Sequence, residues 1–221
     1  MPANGEMVVR AFTGGAFAQN GYLVSCAATD RAILVDPGAA VGEMLDAARR
    51  ADLTVEAIVL THAHIDHLDG VPLARRETGA PIHLHPESLE QYGMAPLQAQ
   101  WFGVQIEPLP PVDRPLDDGG RVRFGDCELE VRYTPGHAPG HVVLVADGLA
   151  LVGDCIFAGS IGRTDLPGGD FQQLMRSIRE RILTLPDETV LYPGHGPETT
   201  VGHERATNPF LVPNFGGSEF A

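Results

Sequence analysis

The stretch Thr61-His62-Ala63-His64-Ile65-Asp66-His67-Leu68-Asp69-Gly70 is the segment of the chain that predicts its fold. It places three histidines and one aspartate within six residues, directly after residues 55–60, an aliphatic and β-branched run typical of a buried strand. From Gly70 onward the apolar spacing predicts a helix. Several polar side chains therefore share one short turn between a strand and a helix, where a metal ion could bind several of them.

A purely structural role for these histidines is the alternative interpretation. A single histidine is usually packed or exposed without a ligand, but three buried imidazoles need partners for both nitrogens of every ring. The apolar end of a strand cannot supply that many partners, whereas one ion satisfies several of them at once. We therefore predict a metal site at this turn.

Length and cysteine content limit the class of protein. At 221 residues and 43% hydrophobic composition, the chain is long enough for one large core, and we expect a single domain over residues 1–221. No apolar run is long enough to cross a bilayer, and residues 1–6 lack the features of a signal peptide, so we expect no membrane partner. Three scattered cysteines fit a reducing compartment, so we expect a cytoplasmic protein.

The charged residues exclude several kinds of chemistry. The formal net charge of −14 argues against a nucleic-acid partner, because such binding depends on basic residues that release counterions. All 15 basic residues are arginine. The absence of lysine excludes Schiff-base catalysis and a P-loop, since both need the lysine amine.

Two runs of strands, each accompanied by helices, predict the architecture. The strands are predicted at residues 7–12, 22–27, 32–35, 55–60, 121–124, 127–133, 141–146, 149–152 and 189–192. A helix should contain Val41, Met44 and Ala48 on one face, and a second should begin after a capping Asp170. We predict an α/β fold, an αββα sandwich in which two mixed sheets pack face to face with helices outside.

Three later segments each place a potential ligand in a glycine-rich turn just after a predicted strand. The ligands are His137, Asp154 and His195. Glycine lets the backbone bend and approach an ion, and the end of a strand holds the side chain firmly. With His62, His64, Asp66 and His67 they are too many for one tetrahedral ion, but they suit a pair of metals bridged by a carboxylate.

This ordered set of residues resembles the metallo-β-lactamase superfamily, through the His-x-His-x-Asp-His motif followed by His137, Asp154 and His195. The resemblance implies the assignment of these ligands to two divalent ions. One ion would be bound by His62, His64 and His137, the other by Asp66, His67 and His195, and Asp154 would lie between them. Histidine and carboxylate ligands suit zinc, iron and manganese alike.

Flanking segments are similar to the glyoxalase II group, especially its short bacterial form. They are residues 134–141, Gly162-Arg163-Thr164-Asp165 and Asn208-Pro209-Phe210. The resemblance implies hydrolysis of a small, glutathione-derived thioester such as S-lactoylglutathione by a metal-bound hydroxide. Asp66 would hold a metal and orient the nucleophile as a catalytic residue. Arg163 is a candidate anchor for a substrate carboxylate, or it fixes only its own loop.

The alternative function is that of a mono-iron glutathione persulfide dioxygenase, which shares the fold and a similar Gly-Arg-Thr-Asp segment. The resemblance would then place one iron on His62, His137 and Asp154. Residues 166–170 and 208–210 favour the hydrolase. Residues 196–221 contain no counterpart of the helical region through which full-length glyoxalase II contacts glutathione. Ligand spacing also does not distinguish thioesters from lactones or β-lactams as substrates.

Other chemically active side chains are expected to be structural. Cys155 is expected to be a buried, inert thiol, because it neighbours Asp154 on the opposite side of an extended chain. His141 is interpreted as the first residue of a strand, with a supporting contact to a ligand as the alternative. His83 and His85 are expected to be edge or surface histidines.

Overall fold

A six-stranded mixed sheet is built from the first half of the chain. The structure is a computed structural model that describes residues 5–212, so the expectations that concern residues 1–4 and 213–221 lie outside it. The strands run in sheet order from β1 to β6, antiparallel up to β3 and parallel from there onward. They are β1 (Met7–Gly14), β2 (Gln19–Cys26), β3 (Arg31–Val35), β4 (Thr54–Val59), β5 (Ile82–Leu84) and β6 (Arg114–Pro115).

Helices cover the outer face of this sheet and complete its parallel connections. They are α1 (Val41–Arg50), α2 (Ile65–Leu68), α3 (Val71–Thr78), α4 (Leu89–Gly93) and α5 (Ala95–Phe102). In α1 the predicted apolar face is buried, including Val41, Met44 and Ala48. This face packs with the outer side chains of the sheet in one apolar cluster.

A second mixed sheet contains six strands from the remainder of the chain, in the order β14-β13-β10-β9-β8-β7. Two short strands form a separate hairpin, and two helices accompany the sheet, the first of which continues as a π-helical turn over Ile178–Ile182. The elements are β7 (Arg121–Phe124), β8 (Cys127–Tyr133), β9 (Val142–Ala146), β10 (Leu149–Gly153), β11 (Ile156–Phe157), β12 (Ser160–Ile161), β13 (Val190–Pro193), β14 (Thr199–Thr200), α6 (Phe171–Ser177) and α7 (Val201–Thr207).

The central strands are apolar on both faces because each sheet is covered on both sides. In β3, Ile33 and Val35 pack against the second sheet, whereas Ala32 and Leu34 pack against the helices. Alternate side chains of a strand point to opposite faces, which explains why β3 is a continuous apolar run and does not alternate with polar residues. The predicted αββα sandwich is confirmed.

Residues 87–115 contain α4 and α5, and two aromatic side chains at the end of α5 are partly exposed. Trp101 is 51% exposed, and Phe102 is exposed beside it.

The predicted cap at Asp170 is confirmed, since its carboxylate accepts a hydrogen bond from the Gln173 backbone N–H. His83 belongs to β5, which is not an edge strand, because β6 pairs with it. Within residues 5–212 no helix combines the length and apolarity that crossing a bilayer requires.

Replacement of Leu144 tests the packing between the sheets. Leu144 is fully buried in β9 in the cluster between the two sheets. Leu144→Ala should lower the free energy of unfolding by about 2–5 kcal/mol, because it removes buried methyl groups and leaves a cavity. Chemical denaturation measures the loss. Leu89→Ala is the control, since Leu89 is 48% exposed and its truncation should cost no more than about 0.5 kcal/mol. Equal small losses for both variants would contradict the packing described above.

Candidate metal centre

All seven predicted ligands lie just beyond the carboxyl ends of four strands. The Thr61–Gly70 motif follows β4, and the other three segments follow β8, β10 and β13. The strands β8 and β10 are each antiparallel to β9, and β10 is parallel to β13, so these three strands end at the same edge of their sheet. The face-to-face packing of the two sheets brings this edge to the end of β4, and the structure places the seven side chains together.

The first triad consists of three buried imidazoles, those of His62, His64 and His137. His64 Nδ1 lies 3.1 Å from His62 Nε2 and 2.8 Å from His137 Nε2. His137 Nδ1 lies 2.7 Å from the Arg163 carbonyl oxygen, which only accepts, so Nδ1 carries the proton and Nε2 presents a lone pair. Three imidazole nitrogens therefore converge on one point.

The second triad consists of Asp66, His67 and His195. His195 Nε2 lies 3.1 Å from an Asp66 carboxylate oxygen, and His67 Nε2 lies 3.7 Å from the same oxygen. His67 is fully buried, whereas the side chains of Asp66 and His195 are 14% and 28% exposed. The second triad therefore combines carboxylate and imidazole ligands and is partly open to solvent.

Asp154 lies between the two triads. One of its carboxylate oxygens is 3.4 Å from His67 Nε2, and the other is 3.5 Å from both His137 Nε2 and His195 Nε2. The Asp154 backbone N–H donates a 3.1 Å hydrogen bond to His141 Nε2. The fully buried His141 therefore supports the turn that carries Asp154, which favours the alternative interpretation of this residue.

Asp36 determines which nitrogens His62 and His67 present. Its carboxylate accepts hydrogen bonds from the Thr61 backbone N–H and the Thr61 hydroxyl, and it lies 3.0 Å from His67 Nδ1. Because the Thr61 hydroxyl donates to Asp36, it accepts from His62 Nδ1 at 3.0 Å. Both imidazoles are therefore protonated on Nδ1, and both turn Nε2 toward the centre.

A polar network from β2 holds the turn that carries His195. The Asn20 side chain donates to the carbonyl oxygens of Pro193 and Gly196, and the Tyr22 hydroxyl donates to the Pro193 carbonyl. Gly194 lies against the ligands, since a Cβ atom there would come within 2.1 Å of an Asp154 carboxylate oxygen. Glycine is therefore required at residue 194 for space.

Gln98 of α5 ties the outer helices to the metal motif. Its side-chain amide donates to the Ala63 carbonyl oxygen, and its side-chain carbonyl accepts from the Ile65 backbone N–H. These bonds hold the backbone on both sides of His64. Gln98 is buried, although the sequence around it predicts little regular structure.

The supporting residues Asp36, Asn20 and Gln98 were missed by the sequence analysis. The sequence contains Asp36 only as part of a turn signal, Asp36-Pro37-Gly38, and Asn20 only as part of Gln19-Asn20-Gly21. In the folded chain Asp36 has a φ of +47°, which is uncommon for a residue other than glycine, but this feature is visible only in the structure.

Several buried polar atoms have no hydrogen-bond partner, which tests whether these residues fit a cation. Those that face the centre are His67 Nε2 and one carboxylate oxygen of Asp154. A buried group without a partner loses its hydration at a cost of about 1–3 kcal/mol. His67 Nε2 faces the carboxylates of Asp66 and Asp154, and although burial alone would lower the pKa of His67, these carboxylates raise it. Only a proton or a metal cation between these groups stabilises the arrangement. The donor set fits divalent metal ions.

Electrostatics divide the centre into two parts. Burial, followed by the neighbouring imidazole of His137, lowers the pKa of His64 to about 3, so His64 is a neutral donor near pH 7. Burial alone would lower the pKa of His195, but hydrogen bonds to Asp154 and Asp66 raise it to about 10. The carboxylates of Asp66, in the second triad, and of the adjoining Asp154 thus attract either protons or a metal cation.

Arg163 lines the open groove in front of the ligands. This groove has a volume of about 330 Å³ and is lined by Asp66, Asp154 and His195 together with Phe157 and Arg163. The Arg163 guanidinium makes two hydrogen bonds to the exposed Asp165 carboxylate, at 2.7 and 2.8 Å. Arg163 is therefore at the groove and also paired within its own loop, and its contact with substrate stays a prediction.

Two other expectations concern side chains near the centre. Cys155 is fully buried, and burial raises the pKa of its thiol to about 12, as expected of an inert thiol. His85 stacks on the Tyr133 ring at a centroid distance of 4.7 Å and is half-buried.

Comparison with known proteins agrees with this geometry. The profile described as the metallo-β-lactamase superfamily matches residues 14–195. The chain is 38% identical over 187 residues to the probable metallo-hydrolase YqgX of Bacillus subtilis, which covers 82% of this chain and 88% of that protein. It is 35% identical over 189 residues to hydroxyacylglutathione hydrolase GloC of Haemophilus influenzae, and the aligned region covers 81% of this chain and 87% of that protein.

A solved structure extends the comparison to metal binding. TTHA1623 in a di-iron-bound form has a TM-score of 0.84 to this chain at 41% identity, over 92% of this chain and 100% of that one. The names of the relatives support a metal-dependent hydrolase, and the match spans the four ligand-bearing segments. The chain belongs to the metallo-β-lactamase superfamily.

Proposed function

We propose that this protein is a glyoxalase II-like hydrolase that cleaves a thioester, such as S-lactoylglutathione, with the help of two divalent metal ions. The observation that carries the proposal is the convergence of two ligand triads with Asp154 between them. His62, His64 and His137 would hold one ion, Asp66, His67 and His195 the other, and Asp154 would contact both. The similarity to GloC supports the substrate class.

The ions and the protein residues have different tasks in this proposal. When bound, the ions lower the pKa of a coordinated water and polarise the substrate carbonyl. Asp66 lines the groove, where its carboxylate can accept a hydrogen bond from the attacking water and orient it. Asp36, through Thr61 and His67, keeps the ligand nitrogens directed at the centre. Zinc, iron and manganese all suit this donor set, and the di-iron relative supports iron.

Arg163 is proposed to bind a carboxylate of the substrate at the rim of the groove. Its guanidinium is the kind of planar donor that pairs with a carboxylate through two hydrogen bonds, as it does with Asp165. We place the activity in the cytoplasm and in one domain over residues 1–221. Three free, buried cysteines support a reducing compartment.

The hydrolase is preferred over a mono-iron dioxygenase because both triads are complete. A one-metal enzyme needs only His62, His137 and Asp154, and it gives no reason for Asp66 and His195 to meet 3.1 Å apart beside His67. The expected content is two ions per chain for the hydrolase and one iron for the dioxygenase.

A paired assay on protein with quantified metals tests the reaction. The protein should release thiol from S-lactoylglutathione, and it should not consume oxygen when glutathione persulfide is supplied. His62→Ala and Asp66→Ala should each lower kcat/KM by more than the ~100-fold that loss of a supporting contact costs. His203→Ala is the matched control, because His203 is exposed on α7, and it should keep full activity. Oxygen uptake with one iron per chain and negligible thiol release would overturn the proposal.

Replacement of Asp36 tests how the ligands are oriented. Asp36→Asn keeps a side chain that tolerates the left-handed backbone at this residue, but its amide N–H₂ cannot accept from Thr61 and His67. Affinity for the metals, measured by competition with a chelator, should fall about 10–100-fold. Asp147→Asn, an exposed turn residue, is the control and should not change affinity. Unchanged affinity in Asp36→Asn would show that this carboxylate does not orient the ligands.

Steady-state kinetics of an Arg163 variant test substrate anchoring. Arg163→Ala should raise KM for S-lactoylglutathione about tenfold with little change in kcat, because a charge-assisted hydrogen bond contributes about 1.5–3 kcal/mol. The backbone carbonyl that contacts His137 is retained in this variant. Arg176→Ala removes an exposed arginine of α6 and is the control. An unchanged KM for Arg163→Ala would mean that Arg163 serves only its own loop.

A further inference from the structure

A second cavity opens beside the metal centre, between α4, α5 and the loop at residues 166–168. We call it the α4–α5 cavity; it has a volume of about 220 Å³. Its apolar walls include Met94, Trp101, Phe102 and Leu166. Ligand-binding cavities combine such apolar walls with a few polar groups at defined positions.

The α4–α5 cavity adjoins the groove that holds the candidate ligands. Three residues line both spaces: His64, Phe102 and Leu166. His64 belongs to the first triad, so the α4–α5 cavity begins beside the metal centre. Phe102 is held in place by an edge-to-face contact with Phe17, at a ring-centroid distance of 5.5 Å.

Charge distinguishes the two spaces. Arg163 lines the groove but not the α4–α5 cavity, which instead has the carboxylates of Glu87 and Glu90 among its lining residues. Glu87 is engaged, because it accepts a hydrogen bond from the Tyr133 hydroxyl, and Glu90 is exposed. The carboxylates of Asp66 and Asp154 also line the groove, but the proposed metal ions would offset their charge. Because only the groove has an arginine among its lining residues, it is the more favourable of the two spaces for an anionic group.

We propose that the α4–α5 cavity binds the acyl group of the substrate and selects an apolar acyl chain of medium length. This inference rests on the proposed thioester hydrolysis. The thiol half of a glutathione thioester carries two carboxylates, so its favourable place is the groove with Arg163. The scissile carbonyl then lies at the metal centre, and the acyl chain extends past His64 between Met94 and Trp101.

A series of glutathione thioesters that differ only in acyl length tests the selection. Metal-loaded protein is assayed with acetyl-, butanoyl-, hexanoyl- and octanoyl-glutathione. Burial of a methylene contributes about 0.8 kcal/mol, or roughly a fourfold change in kcat/KM, so kcat/KM should rise by about two- to fourfold per methylene until the cavity is filled. A flat or falling series would overturn the assignment.

A charge placed in the cavity should remove the preference for long chains. Met94→Glu puts a carboxylate into the cavity wall, and the octanoyl-to-acetyl ratio of kcat/KM should fall at least tenfold. Leu97→Glu is the matched control, since Leu97 is 40% exposed on α5 and does not line the cavity. It should leave the ratio unchanged. An equal response of the ratio in both variants would overturn the assignment.

Tryptophan fluorescence provides a measurement that needs no hydrolysis. Trp101 is the single tryptophan of the chain, and its ring lines the cavity. Titration with hexan-1-ol and octan-1-ol should shift its emission saturably, with octan-1-ol binding about tenfold more tightly because of its two extra methylenes. Met94→Glu should weaken this binding, and Leu97→Glu should not.

The two measurements separate failure of this inference from failure of the proposed function. Saturable alcohol binding without hydrolysis of any thioester would overturn thioester hydrolysis and support the apolar cavity. Hydrolysis of all four thioesters at equal kcat/KM, without saturable alcohol binding, would support thioester hydrolysis and overturn the acyl site.

Discussion

The buried carboxylate of Asp36 is the contact on which the arrangement of the metal centre depends. The strands β3 and β4 are parallel neighbours, so Asp36, just after β3, lies beside the motif that follows β4. Its oxygens accept from the Thr61 backbone N–H and hydroxyl and contact His67 Nδ1. His67 Nδ1 contacts Asp36 directly, and His62 Nδ1 contacts the Thr61 hydroxyl that donates to Asp36. The Nε2 atoms of His62 and His67 are therefore directed at the centre. A cooperative network of this kind is effective only when every member has its partner.

The two triads differ in charge, and this difference follows from the side chains that compose them. The first triad consists of buried imidazoles, whose proton affinity is low because charge is unfavourable in an apolar environment. The second contains Asp66 and adjoins Asp154, so it attracts cations more strongly. Asp154 faces both triads from the tight turn after β10, where His141 accepts a hydrogen bond from its backbone N–H. The backbone at the strand ends therefore fixes how charge is distributed over the centre.

The apolar surface near the centre has a positional cause. The helices α4 and α5 are short and lie at the end of the first sheet, where α5 is tied to the metal motif by Gln98. Trp101 and Phe102 at the end of α5 are left partly exposed beside His64. Exposed aromatic residues next to a polar centre are typical of a binding surface. In the proposed function, the contrast between this apolar side and Arg163 in the groove would give a bound substrate a direction.

The sequence by itself determined the sandwich and identified the seven candidate ligand side chains that the structure brings together. Metal-binding side chains are recognisable because they are few in kind, close in spacing and placed after apolar strands, and strands buried on both faces produce continuous apolar runs. Only the tertiary structure decided which residues support the ligands. Asn20 contacts Pro193 across 173 positions of sequence, and Gln98 contacts Ala63 across 35. Such hydrogen bonds have no local signal, because an asparagine or glutamine in a loop looks the same whether its partner is water or a distant backbone carbonyl. The α4–α5 cavity likewise exists only where separate elements pack together, so its shape is a property of the folded chain.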